Sequence, residues 1–215
     1  MDKDCLIIGH NETEFTKYEE TLRKMGVENG GYQDLLLNFI PVDGVPTTVV
    51  EVFNKFYNNI EEEGKIYLGE TLSATISYLV SYGVKHNLTF DFIDSFVEEQ
   101  ERLISLLKNN KYKTIAITTT LYVAYWPIIE IISLIKKYTK EAKIIIGGPY
   151  IFNLVELEEE STINYLFKFI GADVYINSNQ GEKALVETIT AIKNNTKLDD
   201  IDNIYFLKNG TYIKK

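Results

Sequence analysis

Residues 111–150, KYKTIAITTTLYVAYWPIIEIISLIKKYTKEAKIIIGGPY, read as a strand, a helix and a second strand. Thr114–Thr118 is β-branched or apolar at every position, the pattern of a parallel strand covered on both faces. Pro127 falls where a first helical turn tolerates it. Ile128, Ile129, Ile131, Ile132 and Ile135 give a wide apolar face, with Glu130, Lys136 and Lys137 turned to water. Lys143–Ile146 is a second buried strand, ended by Gly147-Gly148-Pro149 and Tyr150. A unit of this length is a right-handed crossover between parallel strands. It therefore places Thr118-Thr119-Thr120 and Gly147-Gly148 at one carboxyl edge, where open α/β sheets bind ligands.

Working outward, Asp4–Gly9 reads as the first central strand, with Cys5 a small core residue and Gly9, His10 and Asn11 at the same edge. Thr13–Met25 has the spacing of a short amphipathic helix. Between about residues 26 and 69 glycines and prolines break the periodicity, over a length unusual for a simple connection. An insertion over the sheet edge is expected there, with an edge strand at Leu35–Ile40 and a helix at Val49–Ile60. Glu70–His86 follows as a helix with Leu72, Ile76, Leu79, Val80 and Val84 on one face, then Leu88–Ile93 as a strand and Glu98–Leu107 as a helix. His86, at a helix end entering a strand, belongs to the opposite edge. Beyond Gly148 the sequence reads as a linker, an acidic run at Glu156–Glu160, and a helix at Ile163–Phe169. A fifth strand at Gly171–Ile176 is capped by Asn177-Ser178-Asn179-Gln180-Gly181-Glu182, and Lys183–Ile192 is its helix. The tail NIYFLKNGTYIKK is a hairpin about Asn209-Gly210.

Five strands, each after the first preceded by a helix, predict an α/β fold. It is a doubly wound, flavodoxin-like or Rossmann-like parallel sheet in the order 2-1-3-4-5. The expected organisation is one domain over residues 1–200, with the insertion at about 26–69, and a C-terminal β-hairpin over 201–215.

Composition narrows the chemistry. The chain has 215 residues, 45% of them apolar, and a net charge of −9, which argues against binding a nucleic-acid backbone. One cysteine forms neither a disulfide framework nor a multi-cysteine metal site, and fits a cytoplasmic chain. The start MDKDCLIIGHNE has acids where a signal peptide needs bases and too short an apolar run, and no apolar run approaches the roughly 20 residues that span a bilayer. There is no G-x-S-x-G elbow, Walker loop or G-x-G-x-x-G. His10-Asn11 and Asn177-Ser178 stand where a receiver domain has acids and a lysine. What remains is a carboxyl edge of small, neutral, hydrogen-bonding residues, suited to a large ligand rich in amides and hydroxyls. The same residues also fit merely polar strand ends on a structural domain.

The succession DCLIIGHNE, FDFID, TIAITTTLY, AKIIIGGPY and GADVYINSNQGEKAL resembles the cobalamin-binding N-terminal domain of B12-dependent radical SAM enzymes. Thr119-Thr120-Leu121 matches that family's Ser/Thr-x-Leu after the third strand, Gly147-Gly148 its glycine pair after the fourth, and Gly181-Glu182 its element after the fifth. The GHNE start, NFIPVDG and ITTTLY are most similar to the branch that methylates phosphorus in phosphinate natural products. The resemblance implies a methylcobalamin-binding module that presents the cofactor to a catalytic domain, in cis or in trans, which acts on a small-molecule substrate. The implied cofactor contacts are Gly9, His10, Asn11, Thr118–Tyr122, Gly147–Tyr150, Asn177, Ser178, Gln180, Gly181 and Glu182. Two departures qualify the match. The D-x-H-x-x-G signature is absent, so no lower cobalt ligand is expected from the chain. The C-x-x-x-C-x-x-C motif is also absent, which leaves S-adenosylmethionine and the 4Fe-4S cluster to a missing catalytic domain. The expectation is a front portion of a longer enzyme, continuing past Lys215, or a free-standing corrinoid carrier. By itself it is not expected to be catalytic. The rival readings are a flavin-binding flavodoxin-like carrier and a ligand-free interaction domain.

Overall fold

A computed structural model describes residues 3–11, 22–26, 28, 32, 40–47, 49–57, 73–120, 122 and 124–215. The chain divides into two compact units, Met1–Asn11 with Leu72–Lys215, and Glu12–Thr71. The first unit begins with β1 (Lys3–His10), whose interior residues from Asp4 to Gly9 are all buried.

In the Glu12–Thr71 unit, β2 (Ile40–Val42) and β3 (Val45–Thr47) pair antiparallel. Asp43 and Gly44, at φ 53° and 79°, make the two-residue turn between them, as hairpin twist demands. Helix α1 (Val49–Tyr57) follows, and its Lys55 reaches back to Asp43 at 2.7 Å. The expected strand at Leu35–Ile40 lies outside the described residues except for Ile40, which belongs to β2. Of the helix expected at Thr13–Met25, the described Leu22–Lys24 is helical.

The larger unit continues with α2 (Ala74–Lys85), β4 (Phe90–Ser95), α3 (Gln100–Asn109), β5 (Tyr112–Thr118), α4 (Trp126–Tyr138) and β6 (Lys143–Gly147). Then come α5 (Pro149–Leu157), α6 (Glu160–Ile170), β7 (Val174–Ile176), α7 (Glu182–Lys193), β8 (Ile204–Lys208) and β9 (Thr211–Lys214). Its sheet has the order β4-β1-β5-β6-β7-β8-β9. The α/β class is as expected, and the five parallel strands run in the expected order. The strand count is corrected from five to seven, because the C-terminal hairpin does not stand apart from the sheet. It adds β8 antiparallel to β7 and β9 beyond it. Asn209 and Gly210, at φ 52° and 79°, form its turn.

A second correction follows Gly148. The expected linker is α5, with Gly148 as its N-cap at φ 116° and Pro149 in its first turn, a place where proline costs no hydrogen bond. Two helices, not one, therefore precede β7.

Alternation along the strands sorts the core into two layers. Leu6, Ile8, Ile115, Ile117, Ile144 and Ile146 pack with residues of α3, α4, α5 and α6 on one face. Cys5, Ile7, Ala116, Ile145, Val174 and Ile176 pack with α2 and α7 on the other. Parallel strands covered on both sides account for their almost unbroken apolar sequence. Burial pushes the Cys5 thiol up to about 12, so this residue is an inert part of the second layer.

Candidate functional site

A cavity of about 550 Å³ lies within the larger unit, between the sheet, α2 and α7, and opens at the carboxyl edge of β5, β6 and β7. Its floor is hydrocarbon: Ile7, Ala116, Ile145 and Ile176 from the four central strands, closed in by Leu79 of α2 and Leu185 of α7. Its mouth is polar, formed by Thr118 and Thr120 after β5, Thr75 and Tyr78 on α2, and the loop before α7.

Local sequence shapes this mouth. Ser73 caps α2 by accepting from the Ile76 amide at 3.3 Å, and its own amide donates to Asp94 Oδ1 at 3.2 Å, fixing the helix start beside the end of β4. Gly9 permits α2 to come this close. A β-carbon there would meet the Asp94 carbonyl oxygen at 2.6 Å and Ile76 Cδ1 at 2.7 Å. Thr118 and Thr120 pair through their hydroxyls at 3.1 Å, and Thr120 donates to Thr75 at 3.3 Å. On the opposite lip Ser178 makes a tight turn, its hydroxyl accepting from the Gln180 amide at 3.1 Å. Tyr78 donates to Glu182 at 3.4 Å across the opening. Glu182 is the one carboxylate among the described lining residues, and no lysine or arginine is among them. Its place in the first turn of α7 suits the helix dipole.

Of the positions singled out in the sequence, Thr118, Thr120, Gly147, Gly148 and Pro149 line the cavity, as do Ser178, Gln180, Gly181 and Glu182. The others lie elsewhere. Thr119 is fully buried and bonds the Gly147 carbonyl through both its amide, at 2.8 Å, and its hydroxyl, at 3.0 Å. Asn11 donates to the Pro127 carbonyl at 2.9 Å and to Glu130 at 3.2 Å, tying the end of β1 to α4. Tyr122 donates to the Gly9 carbonyl at 2.7 Å, and burial pushes its hydroxyl pKa up. His10 sits at the end of β1, its ring edge-on to Tyr122 with centroids 6.3 Å apart. Tyr150 packs against the opposite core layer, and the Asn177 amide donates to the Asn203 carbonyl at 2.8 Å. Leu121 lies outside the described residues. His86 is exposed at the end of α2, against Tyr82, as expected for the opposite edge. Among the described residues no three His, Cys, Asp or Glu side chains converge as a metal site would need.

Sequence reasoning missed the α2 wall and the floor. Ala116 carried a signal: it is the one small residue in Thr114–Thr118, a run otherwise made of β-branched side chains. Thr75 and Tyr78 carried none, because they stand off the apolar stripe that defines the helix.

No family model and no curated protein matches this sequence. Among solved structures, the chain is similar to two of the radical S-adenosylmethionine methyltransferase TsrM from Kitasatospora setae. One has tryptophan substrate and the SAM analogue aza-SAM bound. It aligns with a TM-score of 0.54 at 15% identity, over 67% of this chain and 27% of that one. The other has cobalamin and a 4Fe-4S cluster bound, and aligns at 0.55 and 11% identity, over 100% of this chain and 29% of that one. Identities this low show a shared fold alone. The chain spans less than a third of that enzyme's length. Among the described residues no helix is long and apolar enough to cross a membrane.

Proposed function

We propose that this chain binds a cobalamin and presents its upper face to a radical SAM catalytic domain. The observation that carries this reading is the cavity. It is an apolar slot roofed by α2 and α7, with a hydroxyl-rich mouth at the sheet's carboxyl edge. Its volume lies within the range of ligand sites, about 300–1,000 Å³. The slot fits the nucleotide tail of a corrinoid: an aromatic base for the hydrocarbon floor, then a ribose and an amide-rich ring for the mouth. Thr75, Thr118, Thr120 and Ser178 would hold the sugar and amides, while Gly147 and Gly148 leave the β6 end bare for close approach. When bound, the cofactor supplies methyl-transfer chemistry. The chain's own residues bind it, orient it and keep water from its tail. The fold likeness to an enzyme solved with cobalamin supports the same reading. A methylcobalamin-dependent methyltransferase, of the phosphinate branch that the sequence resembles, is the finer form of the proposal.

The flavin alternative finds less support. A flavodoxin-like site holds a phosphate in the loop after the first strand, whereas here the end of β1 is tied down by Asn11 and Tyr122 and the cavity opens at the ends of β5, β6 and β7. Among the described residues the mouth carries a carboxylate and no base, which disfavours the terminal dianionic phosphate of a mononucleotide more than the singly charged phosphodiester of a corrinoid tail.

Titration with hydroxocobalamin, followed by gel filtration and visible spectra, tests the proposal. The corrinoid is expected to elute with the protein. Ala116→Phe should fill the floor and lower the affinity at least about tenfold, at a stability cost of roughly 1–3 kcal/mol that leaves far-ultraviolet circular dichroism unchanged. Hydroxocobalamin that never co-elutes would sink the reading. Flavin mononucleotide co-eluting instead would favour the rival carrier.

A further inference from the structure

We propose that the cavity selects among corrinoids by their lower base, accepting a benzimidazole and discriminating against a purine; this rests on the corrinoid reading above. Among the described residues, every lining side chain contributed by a strand interior or an inward helix position is hydrocarbon: Ile7, Ala116, Ile117, Ile145, Ile176, Leu79 and Leu185. The strand backbone behind them offers nothing further. Ile7, Ala116, Ile145 and Val174 stand in successive register across β1, β5, β6 and β7, so their amides and carbonyls are committed to the ladder. The polar groups stop at the mouth. Thr118 ends β5, Thr75 is the second residue of α2, and Glu182 opens α7. Thr118 is already paired with Thr120. Tyr78, 57% exposed, turns its hydroxyl to Glu182 and not to the floor.

A base that enters the slot therefore gives up its water and meets no donor or acceptor among the described residues. A dimethylbenzimidazole has one imine nitrogen and two methyl groups to offer, and loses little. Adenine carries an exocyclic amine and several ring nitrogens, each of which would be buried without a partner. Recognition of this kind works through the polar groups a ligand leaves unsatisfied, which is where binding sites discriminate most strongly.

Spectrophotometric titration of the whole chain with three probes in parallel tests this: cobalamin, the adenine-containing cobamide, and cobinamide, which has no nucleotide tail. Cobalamin is expected to bind at least about tenfold more tightly than the adenine form, and the adenine form no better than cobinamide. Leu79→Gln, at a half-buried position of α2, brings an amide to the slot and should narrow the preference by roughly threefold or more while cobalamin still binds. Equal affinity for the two tailed corrinoids, both above cobinamide, overturns the selectivity and leaves the corrinoid reading standing. Binding of none of the three overturns both.

Discussion

Asp4 shows how a single side chain joins distant parts of the sheet unit. It is 8% exposed, and its carboxylate accepts from the Thr89 amide at 2.8 Å, the Thr89 hydroxyl at 3.0 Å and Lys193 at 3.0 Å. Burial opposes its ionisation, but the hydrogen bonds from Lys193 and Thr89, with the lysine's charge, outweigh that and hold its pKa below the ordinary carboxylate value. A carboxyl depressed in the native state binds fewer protons there than in the unfolded chain. Its stabilisation is thus complete above the unfolded value near 3.9, and is lost as pH falls through the native one. Asp94 works in the opposite sense, since burial raises its pKa. The difference between wild type and Asp4→Asn isolates the first. Urea unfolding at pH 7 should show Asp4→Asn less stable by roughly 1–2 kcal/mol, with Lys193 partly exposed and so contributing little. The gap should begin to narrow below about pH 4 and shrink further as pH falls through the native pKa. A gap constant down to pH 3 would mean that Asp4 acts through packing alone. Gly148 offers a different lesson at this scale. Its φ of 116°, and a β-carbon that would fall 2.9 Å from the Thr119 amide and hydroxyl, make glycine necessary for the chain before any ligand is considered.

Among the elements, the C-terminal hairpin carries more than the sequence implied. Tyr205 of β8 and Tyr212 of β9 close an aromatic cluster in which Phe167 and Tyr175 stack at 3.7 Å. The Tyr212 hydroxyl donates to the Ala172 carbonyl, and that of Tyr175 donates to Phe167 at 2.8 Å. The turn can be tested cleanly at Gly210, where an added β-carbon meets nothing within 4 Å, so any loss is backbone strain. Gly210→Val should lower stability by about 1–2 kcal/mol. The urea midpoint should fall with its slope unchanged. An unchanged midpoint would show that the hairpin contributes nothing to the cooperative unit. The elements also show what could be read in advance. Strands buried on both faces announce themselves as β-branched runs, and Asn-Gly announces a turn. Gly148-Pro149 was misread as a linker because the same residues that end a strand also begin a helix. The cavity was half legible: strand-end threonines and glycines were visible, whereas its walls depend on the spacing between α2 and α7, which no periodicity encodes. Asn11, Thr119 and Tyr122 bond the chain itself, and sequence does not separate that role from ligand contact because polar residues at strand ends serve both equally well.

For the whole molecule, the decisive fact is that one compact unit is formed from two separated stretches of chain. Every described lining residue of the cavity belongs to that unit. The β1 end and the α2 start are neighbours: the Phe96 amide donates to the His10 carbonyl at 2.7 Å, and Ser73 holds Asp94. A linker of about five glycines and serines, reaching on the order of 12 Å, can therefore replace residues 12–71. The shortened protein should unfold cooperatively and titrate with hydroxocobalamin as the full chain does. A tenfold or greater loss of affinity in a folded deletion variant would show that Glu12–Thr71 supplies ligand contacts of its own. The shortened chain should also refold several-fold faster, because closing the β1–β4 loop would cost about 1 kcal/mol less. With residues 12–71 in place, Cys5 pairs in register with Phe90, 85 positions later. During synthesis at roughly 5–20 residues per second, β1 is made first and then waits several seconds for its neighbour. Throughout that wait four consecutive apolar residues, Cys5 to Ile8, have no strand to join. β1 thus emerges well before the strands that secure it, and a chaperone acting on the nascent chain would find in it an apolar stretch to hold until β4 appears.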